Sequence, residues 1–231
     1  MSELTRSLAP KPDQIRFRPI VEAAAHAFAL AGYHRTQMAD IARRAGVALG
    51  TLYRYAASKE DLFVYALALG VGQDPRDVTA DTPVRDVEAY FAKHISDWFD
   101  PKEIADALMR PEEPAPLRTA FEALFNSILT RRLTLRIVDR SAHDLPELAN
   151  VYSQQVREPV MRLLVSYLET QQARGGVRQL ANTEASARLV IEVCAWFAMH
   201  REFSPGGVQI SDPVARETAL THLTLSFRSH P

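Results

Sequence analysis

At 231 residues, with 47% hydrophobic and 24% charged side chains, the chain holds one large or two modest domains around a sizeable core, and its composition excludes disordered, collagen-like and disulfide-framed proteins. Twenty-seven Lys and Arg oppose 28 Asp and Glu, a net charge of −1, so any binding of a polyanion must be local. A single cysteine, Cys194, closes no intrachain disulfide and builds no cysteine-based zinc site, which points to a reducing compartment.

Met1 to Pro10 carries no apolar stretch of the signal-peptide kind, and the longest uncharged runs, 23–34 and 62–73, fall short of a membrane span. A cytoplasmic protein is expected. Residues 1–55 hold eight basic side chains against four acidic ones, so a basic N-terminal part precedes an acidic remainder.

Residues 1–15 read as a disordered leader, with Arg16 and Arg18 preceding the first helix as either a minor-groove arm or part of a solvated leader. A helix starts near Pro19, carries Ile20, Ala23, Ala24, Ala27 and Phe28 on one side, and ends at Gly32. Thr36 offers an N-cap to a short helix with Met38, Ile41, Ala42 and Ala45 on one face, and Gly46 permits a tight turn. Ala48 to Tyr55 makes a second short helix, and Ser58 with Asp61 three residues later opens a longer one. After a Pro-containing loop at 74–83, the stripe Val84, Val87, Phe91, Ile95, Trp98 predicts a helix. A loop at 111–116 precedes another, striped by Leu117, Phe121, Leu124, Ile128 and Leu135. The apolar pattern 145–173 contains Pro159, which should kink or break the helix near Glu158. A loop at 175–182 leads to helices over 183–203 and 212–228. With no hairpin dipeptide between alternating runs, the fold class is all-α.

Two short helices joined across a glycine-containing turn form the helix-turn-helix pattern, whose second helix enters the DNA major groove. Gly32 and Tyr33, Thr36 to Ala42, Ala45 to Val47, Gly50 to Tyr55 and Ser58 to Phe63 together resemble the N-terminal signature of the tetracycline-repressor (TetR) family of bacterial regulators. The resemblance runs over consecutive segments with spacing intact, and beyond residue 75 it is only architectural. The chain departs from the family pattern at Ala48, where a capping Ser is usual, and at Ala56, where a Phe is usual.

The resemblance implies a three-helix DNA-binding head at 16–72 and a helical effector-binding and dimerisation body at 73–231. It further implies a regulator, expected to be a repressor, that binds a pseudo-palindromic operator as a homodimer and is released by a small-molecule effector. A helical ligand-binding or scaffold protein without operator binding, or an activator of the same fold, would carry the same features.

In the head, Thr36 and Gln37 at a helix N-terminus suit phosphate, Gly50 permits close approach to the duplex, and Thr51, Tyr53 and Tyr55 offer hydroxyls to the backbone. Lys59 adds a cation, while Leu49 can contact a thymine methyl and Arg54 can pair with guanine or phosphate. Pocket candidates are polar or flat groups stranded on apolar stripes: His94, Trp98, Phe121, Phe125, Arg132, Tyr152, Trp196 and His200. Residues 183–203 are apolar nearly all round the helix, which supports pairing through the last two helices by Leu189, Val193, Phe197, Leu220, Leu223 and Phe227. No phosphate loop, nucleophile elbow or metal-binding His pair occurs, so neither an enzyme nor a cofactor or metal is expected.

Overall fold

A computed structural model describes residues 12–77, 86–109, 114–204 and 209–229. The described residues fold into twelve α-helices: α1 (Pro12–Ala31), α2 (Met38–Arg44), α3 (Leu49–Leu52), α4 (Lys59–Gly70), α5 (Val87–Trp98), α6 (Pro101–Leu108), α7 (Leu117–Thr130), α8 (Arg132–Ser141), α9 (Pro146–Tyr152), α10 (Glu158–Ala173), α11 (Thr183–Ala198) and α12 (Asp212–Phe227). Short 3₁₀ turns occupy Pro75–Asp77 and His200–Phe203, and a π-helical turn spans Ser153–Arg157. The fold is all-α, its extended pairing among these residues confined to one isolated bridge, Val177 with Arg228. None of the described helices is long and apolar enough to cross a membrane.

Local chemistry explains most helix ends. Ser58 accepts from the Asp61 amide while the Asp61 carboxylate accepts from the Ser58 amide, a complete capping box for α4. Asp86 caps α5, Asp100 caps α6 ahead of Pro101, and Asn182 caps α11 through the Ala185 amide at 2.7 Å. Gly32 leaves α1 in the left-handed region at φ +80°, and Gly46 does the same at φ +66° between α2 and α3.

Three boundaries differ from the sequence expectation. Helix α1 begins at Pro12, so Pro19 lies inside it and Arg16 and Arg18 ride on the helix instead of preceding it. Tertiary contact holds the helix on both sides of Pro19: the Phe17 ring lies 5.3 Å from Tyr65, edge to face, and Ile20 and Val21 are fully buried. Residues 1–11 of the expected leader lie outside the described residues, as do 78–85 and 110–113 of the expected loops. Helix α3 covers only Leu49–Leu52, after which Arg54 and Tyr55 donate to carbonyls three residues back. An interior glycine and an uncapped start at Ala48 leave it little intrinsic strength. The stripe over 115–138 is not one helix, because the chain breaks at Arg131 between α7 and α8. The break expected at Pro159 is present as the π turn ahead of α10.

Two cores form. One gathers Ile20, Phe28, Ile41, Leu52, Phe63 and Leu67 from the first four helices and runs on into Phe91, Ile95, Ile137, Val138 and Leu148 of α5, α8 and α9. The other packs Phe121, Phe125, Leu164, Tyr167, Val190, Leu220 and Phe227 between α6, α7, α10, α11 and α12. Helix α8 joins the N-terminal helices to the rest at backbone distance. A Cβ at Gly70 would lie 2.2 Å from Thr134 Oγ1 and 2.7 Å from its amide nitrogen, and one at Gly32 would lie 2.4 Å from the Arg140 carbonyl oxygen. Thr134 Oγ1 donates to the Leu67 carbonyl at 2.8 Å, and the His34 amide donates to Asp144 at 2.8 Å.

Gly70→Ala and Gly32→Ala are therefore expected to cost ~1–3 kcal/mol each, from overpacking and, at Gly32, from backbone strain as well. Thermal melts check this through a fall of several degrees in Tm, and an unchanged Tm would contradict the close approach.

Candidate DNA interface and ligand cavity

The surface of the helix-turn-helix follows from how little of α3 is spent on packing. Leu52 is fully buried and anchors the helix, with Ala56 buried just beyond it. Leu49, Gly50, Tyr53 and Arg54 face outward, Leu49 43% and Tyr53 49% exposed. These side chains are thereby available to a partner outside the chain. Nothing lies within 4 Å of a Cβ built at Gly50, so within the chain a side chain there meets open space. Thr51 is half-buried.

Two of the expected contacts are redirected. Thr36 is buried, and its hydroxyl donates to the Gly32 carbonyl at 2.7 Å, so it fastens the turn and offers nothing to phosphate. Gln37, exposed and extended, holds the N-cap position of α2 instead. The Tyr55 ring packs toward Phe17, centroids 6.4 Å apart, and does not stand out beside Tyr53.

Lys59 does not extend freely. Its ammonium donates to the His34 carbonyl at 3.3 Å and lies 4.4 Å from the Tyr33 ring centre, while Tyr33 donates to Glu60 at 2.6 Å. Burial holds the lysine below its ordinary pKa against the pull of Glu60 and Asp144, and burial with the Glu60 bond pushes the Tyr33 hydroxyl up. On α2, Arg43 pairs with Asp40, and Arg44 is exposed with no partner among the described residues. The paired arginines of that last turn were the available sequence signal for a second basic edge, and motif matching passes over them.

In the body, a cavity opens between α6, α7, α8, the π turn, α10 and α11. One chamber of about 100 Å³ is lined by Phe99, Ile104, Leu124, Ser127, Ile128, Arg131, Leu135, Tyr152, Val156, Arg157, Val160, Met161, Arg188 and Ile191. A neighbouring chamber of about 270 Å³ shares Ile128, Leu135, Tyr152, Arg157, Arg188 and Ile191 and adds Asp139, Glu192, Ala195, Met199 and His200. Burial pushes the Tyr152 hydroxyl up to about 12 and lowers His200, so both stay uncharged near neutrality.

Of the eight expected pocket residues, the structure brings Tyr152 and His200 to this cavity. His94 stacks on Tyr90 at 4.3 Å, and Trp98 donates to Gln73 at 3.0 Å. Phe121 and Phe125 are buried in the second core. Arg132 pairs with Glu202 at 2.9 Å and Asp212 at 3.0 Å, tying α8 to the start of α12, where Arg201 meets Asp212 as well. Arg131 stands on the cavity face at helical spacing from Leu124, Ile128 and Leu135, and Arg132, one position on, turns away to the acids of the α12 start. Trp196 lies on the surface, 44% exposed.

The expected dimer face is corrected in the same way. Leu220, Leu223 and Phe227 are buried in the chain's own core, whereas Leu189, Trp196, Val214 and Leu225 are the exposed apolar residues of α11 and α12. Val193 and Phe197 are half-buried. Along α12 the alternation of buried and exposed leucines reverses which of them are available to a partner. Cys194 is fully buried, and burial pushes its thiol up to about 12, the state of an inert small hydrophobe.

The family model described as "Bacterial regulatory proteins, tetR family" matches residues 20–66, the segment that carries α2, the turn and α3. A fatty acid metabolism regulator protein of Bacillus subtilis (strain 168) is 38% identical over 63 residues, 27% of this chain; the match spans about a third, 32%, of that relative's length. The ketosteroid transcriptional regulator KstR2 of Mycobacterium tuberculosis shares the fold with a TM-score of 0.58 at 20% identity, over 93% of this chain and 96% of that one. A tetR-family regulatory protein from Rhodococcus RHA1 does so at 0.56 and 17% identity, over 94% and 98%. NalD, the secondary repressor of the MexAB-OprM multidrug efflux pump in Pseudomonas aeruginosa, does so at 0.52 and 17% identity, over 94% and 98%. The fold is that of these regulators, and the match to the tetR family model lies in residues 20–66.

Arg132→Ala is expected to lower Tm by a few degrees, since a partly buried pair of this kind contributes ~1 kcal/mol. Tyr152→Phe, whose hydroxyl makes no hydrogen bond among the described residues, is expected to leave Tm unchanged. Equal losses in both would contradict the division between fastening and cavity residues.

Proposed function

We propose that this chain, whose residues 20–66 match the tetR family of bacterial regulatory proteins, is a repressor of that family that binds a pseudo-palindromic operator as a homodimer and is released when a small molecule enters its body. The observation that carries this is the outward strip of α3, with Leu49, Gly50, Tyr53 and Arg54 held up by a single buried anchor, Leu52. Apolar and cationic groups on a slim helix suit a major groove: Leu49 takes a thymine methyl, and Arg54 takes guanine or phosphate. Gln37, Thr51, Tyr53 and Lys59 bind the phosphates on either side, with Arg44 extending that footing. Pairing is through Leu189, Trp196, Val214 and Leu225, whose exposure fits coverage by a second copy.

Release is coupled through α8. Leu135 and Asp139 on it face the cavity, while Thr134, at the Leu67 carbonyl, and the Arg140 carbonyl, at Gly32, meet the head. A ligand that shifts α8 shifts both heads, and with them the spacing of the two recognition helices.

Selection of bound duplexes from a random pool is expected to enrich a two-fold-symmetric site. Gly50→Ala should abolish enrichment while leaving Tm equal or higher, because the methyl clashes only with DNA and improves helix propensity by up to ~1 kcal/mol. Lys59→Ala should weaken binding at all sequences and reduce the salt slope by about one. A wild type that enriches nothing would sink the operator reading.

Light scattering after size exclusion is expected to show a dimer for the wild type. The double variant Trp196→Glu, Leu225→Glu should be a folded monomer; a dimer unaffected by it would place the seam elsewhere.

A further inference from the structure

The polar groups of the body cavity are sorted by depth. Its walls are aliphatic and aromatic, while Arg157 and Arg188 are exposed side chains at its rim. No acidic side chain lines the first chamber. Resting on the assignment of this cavity as the effector site, we propose that it takes an amphiphilic monoanion, a compact apolar body ending in one carboxylate or similar group, with the anion held at the rim by Arg157 and Arg188.

The three cations of the lining differ in what they have left to give. Arg131 is spent: it donates to the Trp98 carbonyl at 2.9 Å, to Ser127 Oγ at 3.3 Å and to Glu103 at 2.7 Å. Most of its five donors are taken and its charge is met by Glu103. Arg188 meets Glu192 at 2.6 Å, but both side chains are about half exposed, so this pair is weak and exchanges readily for another carboxylate. Arg157 makes no hydrogen bond or ion pair among the described residues, and its charge acts on the Tyr152 hydroxyl.

Backbone geometry puts it there. In a continuous α-helix the residue five after Tyr152 turns away from it. In the π turn the Glu158 amide donates to the Ser153 carbonyl, five residues back, and this wider winding brings Tyr152, Val156 and Arg157 to one cavity wall. The wall then offers a ligand one free guanidinium and one hydroxyl donor.

The alternatives fit less well. An ammonium would lie among Arg131, Arg157 and Arg188. The acids of the second chamber, Asp139 and Glu192, already face Arg136 at 3.3 Å and Arg188 at 2.6 Å. A neutral ligand covering the rim would strip water from Arg157 and return no partner. The two chambers, about 100 and 270 Å³, lie at the small end for ligand sites, which limits the apolar part to a short chain or one ring system.

Isothermal titration of the full-length chain without DNA, using octanoate, octanol and octyltrimethylammonium at one pH and salt concentration, tests this. Octanoate is expected to bind saturably and at least tenfold more tightly than the ammonium. Arg157→Gln should weaken octanoate about tenfold, leaving octanol affinity and Tm unchanged. Arg16→Gln, remote from the cavity, should change nothing. Binding indifferent to the head group, or octanoate affinity unaltered in Arg157→Gln, would overturn the anion while leaving an effector site in place. If none of the three bound, the assignment of the cavity as the effector site would fall and the proposal with it. Operator binding is read separately by duplex selection, so its failure is not mistaken for either.

Discussion

The contact on which the arrangement depends is the backbone-to-backbone meeting of α8 with the ends of α1 and α4. Gly70 admits the Thr134 amide and hydroxyl, and Gly32 admits the Arg140 carbonyl, at separations that exclude even a methyl group. Such proximity removes the side-chain layer that usually lets packed helices slide, and it adds the hydrogen bonds from Thr134 to Leu67 and from His34 to Asp144. The head is thereby docked chiefly on α8, with α4 also against α5, so a displacement of α8 bears directly on the head. Because α8 also supplies Leu135 and Asp139 to the cavity wall, cavity and docking share an element. Close-packed interiors transmit such displacements because they compress little.

Around this docking the head is economical. One residue, Leu52, holds the recognition helix down, and the remaining outward groups are left to solvent. The network of Tyr33, Glu60 and Lys59 closes the far side, with the capping box at Ser58 and Asp61 setting where α4 begins. Each of these ties serves position: the lysine is anchored by a carbonyl and an aromatic face, so its charge is offered at a fixed place. A preorganised cation loses less entropy on meeting phosphate than one on a free side chain.

The body uses the opposite device, irregularity. The break at Arg131 and the π turn before Pro159 both interrupt long helices, and both fall at the cavity wall. Regular helices packed side by side fill the space between them; a change of winding leaves room and redirects polar side chains into it. The ion-pair group of Arg132, Arg201, Glu202 and Asp212 then fastens α12 to α8 on the far side.

Sequence alone determined the all-helical class, the helix-turn-helix with its glycine turn at Gly46, the capping box and the break near Glu158, because each is written in local chemistry: caps, glycines, prolines and periodicity. It also marked Leu49, Tyr53 and Arg54 as outward, since a short helix anchored by one apolar residue has few ways to face. What it could not decide were matters of register and of who packs against whom. Periodicity places Arg132, Leu220 and Phe227 on an apolar stripe, but it does not say whether that stripe meets the chain's own core, a cavity or a second copy. Arg131 and Arg132 both lie three or four positions from Ile128 and Leu135, and only packing sent the first to the cavity and the second to Glu202 and Asp212; the crossing of α12 over α7 and α11 likewise buried Leu220, Leu223 and Phe227 while leaving Val214 and Leu225 outside. Those outcomes follow from long-range packing energies, which belong to pairs of helices and not to any one segment.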